Sequence, residues 1–304
     1  MDFQGTIHIV DTYKRREMAQ IKIDQEKCTG CGACVALCSV THVYTLENKK
    51  AKVLSPSRCW ECGQCVAVCP VDAITHSSFS FEDCPMIERS ENDLEKLIGY
   101  FRARRSIRVY QNKRVERDKV ASLVNTARWA PSGKNLQAVS WLAVDNAKTI
   151  YLLSERIVRV LVKGAEDLRN SISSETDVEE KKSTLMQAKT FEHLGRRFKK
   201  GEEPIFFGAP VVLIAITLHS HFGRDDAVIS GYTMQLAAVQ MGLATCQIGY
   251  FMAGVIMDKE LGKDILNIPE DREIQMVITL GYSKYQMRRS VYRAPLPLYW
   301  VDNS

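Results

Sequence analysis

Eight of the ten cysteines in this 304-residue chain lie in two short runs, CTGCGACVALC from Cys28 to Cys38 and CWECGQCVAVC from Cys59 to Cys69. Each run reads Cys-x2-Cys-x2-Cys-x3-Cys, and every cysteine of the first has its counterpart 31 residues later. The apolar pairs Ile23 with Leu54 and Val43 with Ile74 keep the same offset, which marks an internal duplication. Any fold containing it must curl tightly around what the sulfurs hold. Gly30, Gly32, Ala33 and Gly63 are small enough to allow that curvature.

Disulfides, zinc and iron–sulfur clusters all use cysteine. A disulfide framework belongs to an oxidising compartment, and the opening stretch MDFQGTIHIVDTYKRREM lacks the apolar core and cleavage site of a signal peptide. Zinc usually takes two Cys-x2-Cys pairs separated by a longer spacer, not four cysteines in eleven residues twice over. The spacing instead matches two [4Fe–4S] clusters, with the fourth cysteine of each run ligating the opposite cluster. That rule assigns Cys28, Cys31, Cys34 and Cys69 to one cluster, and Cys59, Cys62, Cys65 and Cys38 to the other. Cys34 and Cys38 are one helical turn apart, so a short helix is expected between the two sites.

These residues resemble a bacterial two-cluster ferredoxin module, over about Ile21 to His76. The second run ends Cys69-Pro70, as in that family, whereas the first ends Cys38-Ser39. Cys84 and Cys246 have no partner spacing and are expected to be small buried hydrophobes. Composition, with 45% hydrophobic and 25% charged residues, is that of an ordinary globular protein. The net charge of +5 is modest, and the basic tract from Arg102 to Lys119 is broken by acidic residues and has no interleaved aromatic platform, so no nucleic-acid partner is expected. The longest apolar run, Ile205 to Leu218, is too short to span a bilayer and reads as a turn followed by a buried strand. The expectation is a cytoplasmic protein without a membrane partner, from an oxygen-poor setting.

After Thr75 the pattern loses periodicity, and the boundaries read as an N-terminal segment 1–20, a cluster domain 21–78, a linker 79–90 and a second domain 91–304. In the second domain Leu94, Leu97, Ile98 and Phe101 have helical spacing, and Ser90 with Asp93 resembles a capping box. Val115 to Trp129 and Asp226 to Met241 read as further helices, the latter rich in small residues that permit close packing. Trp141 to Val144, Val211 to Thr217, Ala244 to Gly249 and Gln275 to Gly281 read as strands, and Lys163 to Glu203 as charged and partly helical. The class is α+β. Neither a dinucleotide-binding glycine fingerprint nor a P-loop is present, so the natural recipient of single electrons is a flavin.

Four segments bear on that expectation: RRSIRVY (Arg104 to Tyr110), APSGKNLQ (Ala130 to Gln137), GLATCQIGYF (Gly242 to Phe251) and LGYSKYQMRRSVYR (Leu280 to Arg293). Arg104, Arg105, Arg108 and the Ser106 hydroxyl suit a phosphate dianion, although such a run on its own is more commonly a solvated face. PSGKN on its own is a turn, and Gly249 a strand end. In order and spacing, however, the four segments resemble the FMN-binding segments of the nitroreductase family. The resemblance covers nearly all of 91–304, so the whole chain looks like a ferredoxin-fused nitroreductase, a two-cluster module followed by an FMN-dependent α+β domain.

The resemblance implies that Arg104, Arg105, Ser106 and Arg108 join Arg288 and Arg289 at the FMN phosphate. Pro131, Ser132, Gly133, Asn135 and Gln137 would meet the ribityl chain and ring edges, with Ala138 where the family usually has proline. Backbone at Ile248 and Gly249 would face flavin N5. No single catalytic acid is expected. His193, Phe191 and Phe198 lie where the family often has a lid, but read individually as a surface histidine and packing aromatics. The family also implies a homodimer in which the tail RAPLPLYWVDNS wraps the partner. Ferredoxin or flavodoxin would donate electrons, and a nitroaromatic, quinone or activated alkene would accept hydride. The alternatives are a dehydrogenase running in reverse on a biosynthetic intermediate, and a redox sensor or carrier module without turnover.

Overall fold

The computed structural model describes residues 18–82, 84–87, 94–173 and 176–301. They divide into two compact units. One holds the cysteine runs together with Pro131–Ala138, and the other holds the remainder of the chain beyond residue 94.

The cysteine unit repeats its architecture as its sequence repeats. Strand β1 (Ile21–Ile23) leads to helix α1 (Ala33–Leu37), and after β2 (Tyr44–Glu47) and β3 (Lys50–Val53) come helix α2 (Gln64–Val68) and strand β4 (Ile74–His76). Each short helix starts after a glycine in the left-handed region, Gly32 at φ 76° and Gly63 at φ 72°, where a Cβ is disfavoured. β1 pairs antiparallel with β4, and β2 with β3. Val43 and Ile74 are both buried, as their matched positions require, but Leu54 is exposed where Ile23 is half-buried. The expected bridge between Cys34 and Cys38 is α1 with its C-cap.

The second unit begins with α3 (Leu94–Ala103) and α4 (Arg117–Thr126), then strand β5 (Ser140–Val144) and two long helices, α5 (Ala147–Asn170) and α6 (Val178–Lys199). Strand β6 (Val211–Leu218), α7 (Gly223–Gln240), β7 (Ala244–Gln247), α8 (Gly249–Met257), α9 (Leu261–Leu266) and β8 (Arg272–Gly281) follow. The sheet is antiparallel throughout, in the order β5-β6-β8-β7, with a register shift at Ala215/Ile216. β6, an inner strand between β5 and β8 with α7 packed against it, is buried along nearly its whole length, which explains its unbroken apolar run. The close packing expected of α7 is visible at Gly231, where an added Cβ would lie 2.4 Å from Met276 Sδ.

Several elements depart from the sequence reading. The helix expected to reach Trp129 turns 3-10 at Ala127–Trp129, with Pro131 two residues beyond. Lys163 to Glu203 is two helices joined near residue 177, where the Asp177 carboxylate caps the N–H of Glu179 at 2.8 Å. Phe191 is buried and Phe198 stacks on Tyr151 with centroids 5.2 Å apart, so both pack helices, while His193 is exposed. Strand β7 stops at Gln247, and Gly249 opens α8 instead of ending a strand. Cys246 is buried as expected, but Cys84 is exposed. Ser90 and Asp93 lie outside the described residues.

Candidate functional sites

Cys28, Cys31, Cys34 and Cys69 line one cavity of the cysteine unit, closed by Ile23, Ala51 and Ile74. The set combines three cysteines of the first loop with the last of the second. Cys38, Cys59, Cys62 and Cys65 form the complementary set. Burial pushes the Cys59 thiol up, and the charges of Cys65, Cys62 and Cys38 push it further, so the four sulfurs are within electrostatic reach of one another. Burial likewise raises Cys65 and Cys34. Burial at these positions disfavours a free thiolate. Among the described residues no three His, Cys, Asp or Glu side chains converge on one ion.

The sulfurs accept hydrogen bonds. Glu61 N donates to Cys59 Sγ at 3.3 Å and Ala73 N to Cys69 Sγ at 3.2 Å. Side chains add Tyr44 Oη on Cys65 Sγ at 3.0 Å, Thr41 Oγ1 by Cys38 Sγ at 3.0 Å and His76 Nε2 by Cys59 Sγ at 3.4 Å. None of these side chains was singled out by the sequence. Thr41 lies three residues from Cys38, but Tyr44 and His76 are 21 and 17 residues from their cysteines and meet them only in the folded loops.

In the second unit the Arg104–Tyr110 segment is stitched between two strands. Ser106 pairs with Thr245 of β7, Ile107 N donates to Thr245 O at 3.0 Å, and Tyr110 pairs with Ser283 just past β8. Gly281 is required here, since a Cβ would meet Pro210 and the Tyr110 ring at 2.7 Å. The stitching sets the first arginines beside the chain leaving β8. Arg102, Arg104, Arg105, Lys284, Arg288 and Arg289 line a common cleft of about 810 Å³ with Thr245 and Tyr285, and no carboxylate of the described residues lines it. Four of the expected phosphate residues, Arg104, Arg105, Arg288 and Arg289, are thus brought together.

Ser106 and Arg108 are not among the cleft residues. Both lie against the buried Cys246, whose thiol is pushed up by burial and pulled back by Arg108 and Ser106. Arg108 also lies over the Phe207 ring, 5.8 Å from its centroid. Ile248 is buried, its N–H bonded to Val277 O at 3.0 Å, and Gly249 starts α8, where the first N–H groups have no intrahelical acceptor.

The loop Pro131–Ala138 belongs to the cysteine unit. Its backbone is tightly folded, with Lys134, Asn135 and Gln137 at positive φ, and Ser132 Oγ accepts from Gln137 N at 2.9 Å. Asn135 Nδ2 donates to Glu61 O at 2.9 Å and Trp60 O at 3.4 Å. Gly133 opens the short 3-10 turn that follows Pro131 and Ser132. No described helix is long and apolar enough to cross a membrane.

A family model described as the nitroreductase family matches residues 101–282, and one described as a 4Fe-4S dicluster domain matches residues 14–70. No curated protein matches the chain. Among solved structures, the chain is similar to a nitroreductase with bound FMN from Bacteroides fragilis, at 21% identity over 67% of this chain and 98% of that one, with a TM-score of 0.52. It is also similar to a BluB-like flavoprotein from Clostridium difficile, at 15% identity over 66% of this chain and 94% of that one, again with a TM-score of 0.52. At those identities the likeness is one of fold. With more than half its length matched, the chain belongs to the nitroreductase family, and it carries a 4Fe-4S dicluster ferredoxin domain ahead of the family domain.

Proposed function

We propose that this protein is an FMN- and iron–sulfur-dependent oxidoreductase. It receives electrons singly from ferredoxin or flavodoxin through two [4Fe–4S] clusters, and it reduces a small planar acceptor such as a nitroaromatic, quinone or activated alkene. The observation that carries this reading is the pairing, in one chain, of two complete four-cysteine sets with a basic cleft built from two distant arginine pairs.

Each side of the pairing suits its group chemically. Cys28, Cys31, Cys34 and Cys69 would hold one cluster, and Cys38, Cys59, Cys62 and Cys65 the other, following the crossed ligation of duplicated ferredoxin loops. The cleft has the size of a cofactor site and an excess of guanidinium donors with no opposing carboxylate among its lining residues, which suits a phosphate dianion. Arg104, Arg105, Arg288 and Arg289 would bind that phosphate, with Ser106 and Arg108 holding the segment against β7. Family likeness assigns the loop at 131–137 to the ribityl chain and ring edges, and Ile248 and Gly249 to the N5 edge. Bound FMN supplies the exchange between single electrons and hydride. The chain's own contribution is to anchor, orient and limit water; no side chain is assigned as the proton donor. The reading includes a homodimer, with the C-terminal segment lying on the partner subunit, and a cytoplasmic location.

Anaerobic purification with iron and flavin analysis, followed by reduction with reduced ferredoxin and separately with NADPH, tests the proposal. The expected result is about eight irons per chain, one FMN, and flavin bleaching by ferredoxin followed by reoxidation with a nitroaromatic or quinone. Prompt bleaching by NADPH alone overturns the carrier-fed reading. Reduced flavin inert to every such acceptor favours a dehydrogenase direction or a carrier role.

A further inference from the structure

The two cysteine sets arose by duplication, so hydrogen bonds that were duplicated with them act on both alike. The backbone bond of Glu61 N to Cys59 has its counterpart in the Gly30 N–H on Cys28, and Val66 N–H on Cys65 in the Val35 N–H on Cys34. The side-chain bonds do not repeat. Tyr44, His76 and Thr41 bond to Cys65, Cys59 and Cys38, all of one set. Thirty-one residues away, their repeat counterparts are Thr75, Thr45 and Asp72. Among the described residues no side chain bonds to a sulfur of the other set, whose unmatched partners are the backbone N–H groups of Cys34, Ala51 and Ala73.

The direction of each side-chain bond follows from its chemistry. A cysteine that ligates iron is a thiolate with no proton to give, so the Thr41 and Tyr44 hydroxyls must be the donors. The His76 tautomer is set from its other side, because Ser78 N–H donates to Nδ1 at 3.1 Å. Nδ1 therefore has no hydrogen, and the ring proton sits on Nε2, facing Cys59 Sγ. The ring is buried and held by Phe79, centroids 4.8 Å apart, so the donor is fixed in place.

Building on the two-cluster reading, we infer that Tyr44, His76 and Thr41 tune the cluster of Cys38, Cys59, Cys62 and Cys65 alone, raising its reduction potential through hydrogen bonds to the ligand sulfurs. Hydrogen bonds to cluster sulfurs stabilise the more negative, reduced state, and so raise the potential. The duplicated loops are thereby adjusted independently, one by side chains and the other by backbone.

An anaerobic redox titration of the full chain followed by electron paramagnetic resonance is the test, with iron content measured on each sample. His76→Leu and Tyr44→Phe are expected to lower the same one of two reduction waves and to leave the other in place; if the waves coincide in the parent protein, either variant splits them. His76→Gln, which keeps an N–H donor, should lie between His76→Leu and the parent. Thr45→Val, at the repeat counterpart of His76, should move neither wave. Tyr44→Phe and His76→Gln keep the volume of the site, so the test survives if His76→Leu loses iron. Variants that retain their iron and move no wave, move both equally, or move different waves overturn the inference while leaving two clusters intact. A parent protein with far fewer than about eight irons overturns the two-cluster reading and this inference with it.

Discussion

Gly30 and Gly63 have nearly the same φ, 71° and 72°, but their surroundings differ. A Cβ on Gly30 would sit 1.8 Å from Lys49 O, a backbone atom that cannot turn aside, whereas on Gly63 it would meet only the Phe79 ring at 3.6 Å. Gly63→Ala therefore carries only the left-handed backbone cost, about 1–2 kcal/mol, while Gly30→Ala must displace the β2–β3 turn from the first cluster loop. The expected outcome is an iron-replete Gly63→Ala protein with a lowered melting temperature, and a Gly30→Ala protein that loses iron. Equal iron content in the two would mean that the Lys49 contact is relieved cheaply. The position matching Gly30 in the second repeat is Glu61, also left-handed at φ 51°, so the conformation was kept where the crowding was not. That distinction was invisible in the sequence, which marks a glycine as permissive without saying whether φ or a neighbouring carbonyl demands it. The arginines of the cleft pose a simpler test. Loss of a charge-assisted bond costs about 1.5–3 kcal/mol, so Arg288→Ala or Arg289→Ala is expected to weaken FMN binding by roughly 10- to 100-fold, read by flavin fluorescence on apoprotein. Unchanged affinity in both would remove the phosphate from this cleft.

At the scale of elements, what was legible was what local pattern alone decides. The strand at Val211 and the helix at Asp226 were readable because an apolar run rich in Val and Ile and a small-residue helix have few competing readings. The start of α5 at Ala147 was passed over, although Asn146 Oδ1 caps Thr149 N at 3.0 Å and Ile150, Leu153, Ile157 and Leu161 form its buried stripe. Its charged outer face hid the period. The boundary of β7 failed for another reason, since Gly249 serves equally as a turn or as a helix start and only the α8 that follows decides. The cysteine runs stood out because their spacing is short and fixed, and the arginine pairs only through their family pattern, being far apart along the chain. Between elements, Arg156 on α5 reaches Asp258 at the end of α8 at 2.5 Å and Asp264 of α9 at 3.1 Å. The Arg156 hydrogen bond holds the largely buried Asp258 carboxyl below the ordinary carboxylate range. A depressed folded-state pKa adds stability that is present above the ordinary value, near 4, and is lost as pH falls through the depressed one. Asp258→Asn should therefore lower the melting temperature at neutral pH and flatten its decline on acidification. A variant that falls with acid as steeply as the parent would place the acid-sensitive group elsewhere.

For the molecule as a whole, the cysteine unit and the larger unit each have a buried core, but the C-terminal stretch does not contribute to either. From Ser290 to Val301 it forms neither helix nor strand, and Leu296, Tyr299, Trp300 and Val301 are each at least 80% exposed. Single exposed apolar residues are ordinary, but four in six consecutive positions form a patch that a lone chain has no means of covering. Burying such side chains contributes about 1.5–3 kcal/mol each, before the ordering cost of the segment is subtracted. Pro295 and Pro297 reduce that cost by restricting the free segment, which favours an extended arm laid on another surface over a flexible tail. A second copy of the chain is the partner that the proposed homodimer supplies. The full chain is therefore expected to sediment as a dimer at micromolar concentration, and a chain ending at Arg293 to shift toward monomer while keeping the iron of its cysteine unit. Because iron content reports on the cysteine unit and sedimentation on association, loss of both would mean general misfolding. A truncated chain that remains dimeric would show that the arm is dispensable for pairing and that its apolar residues serve some other contact.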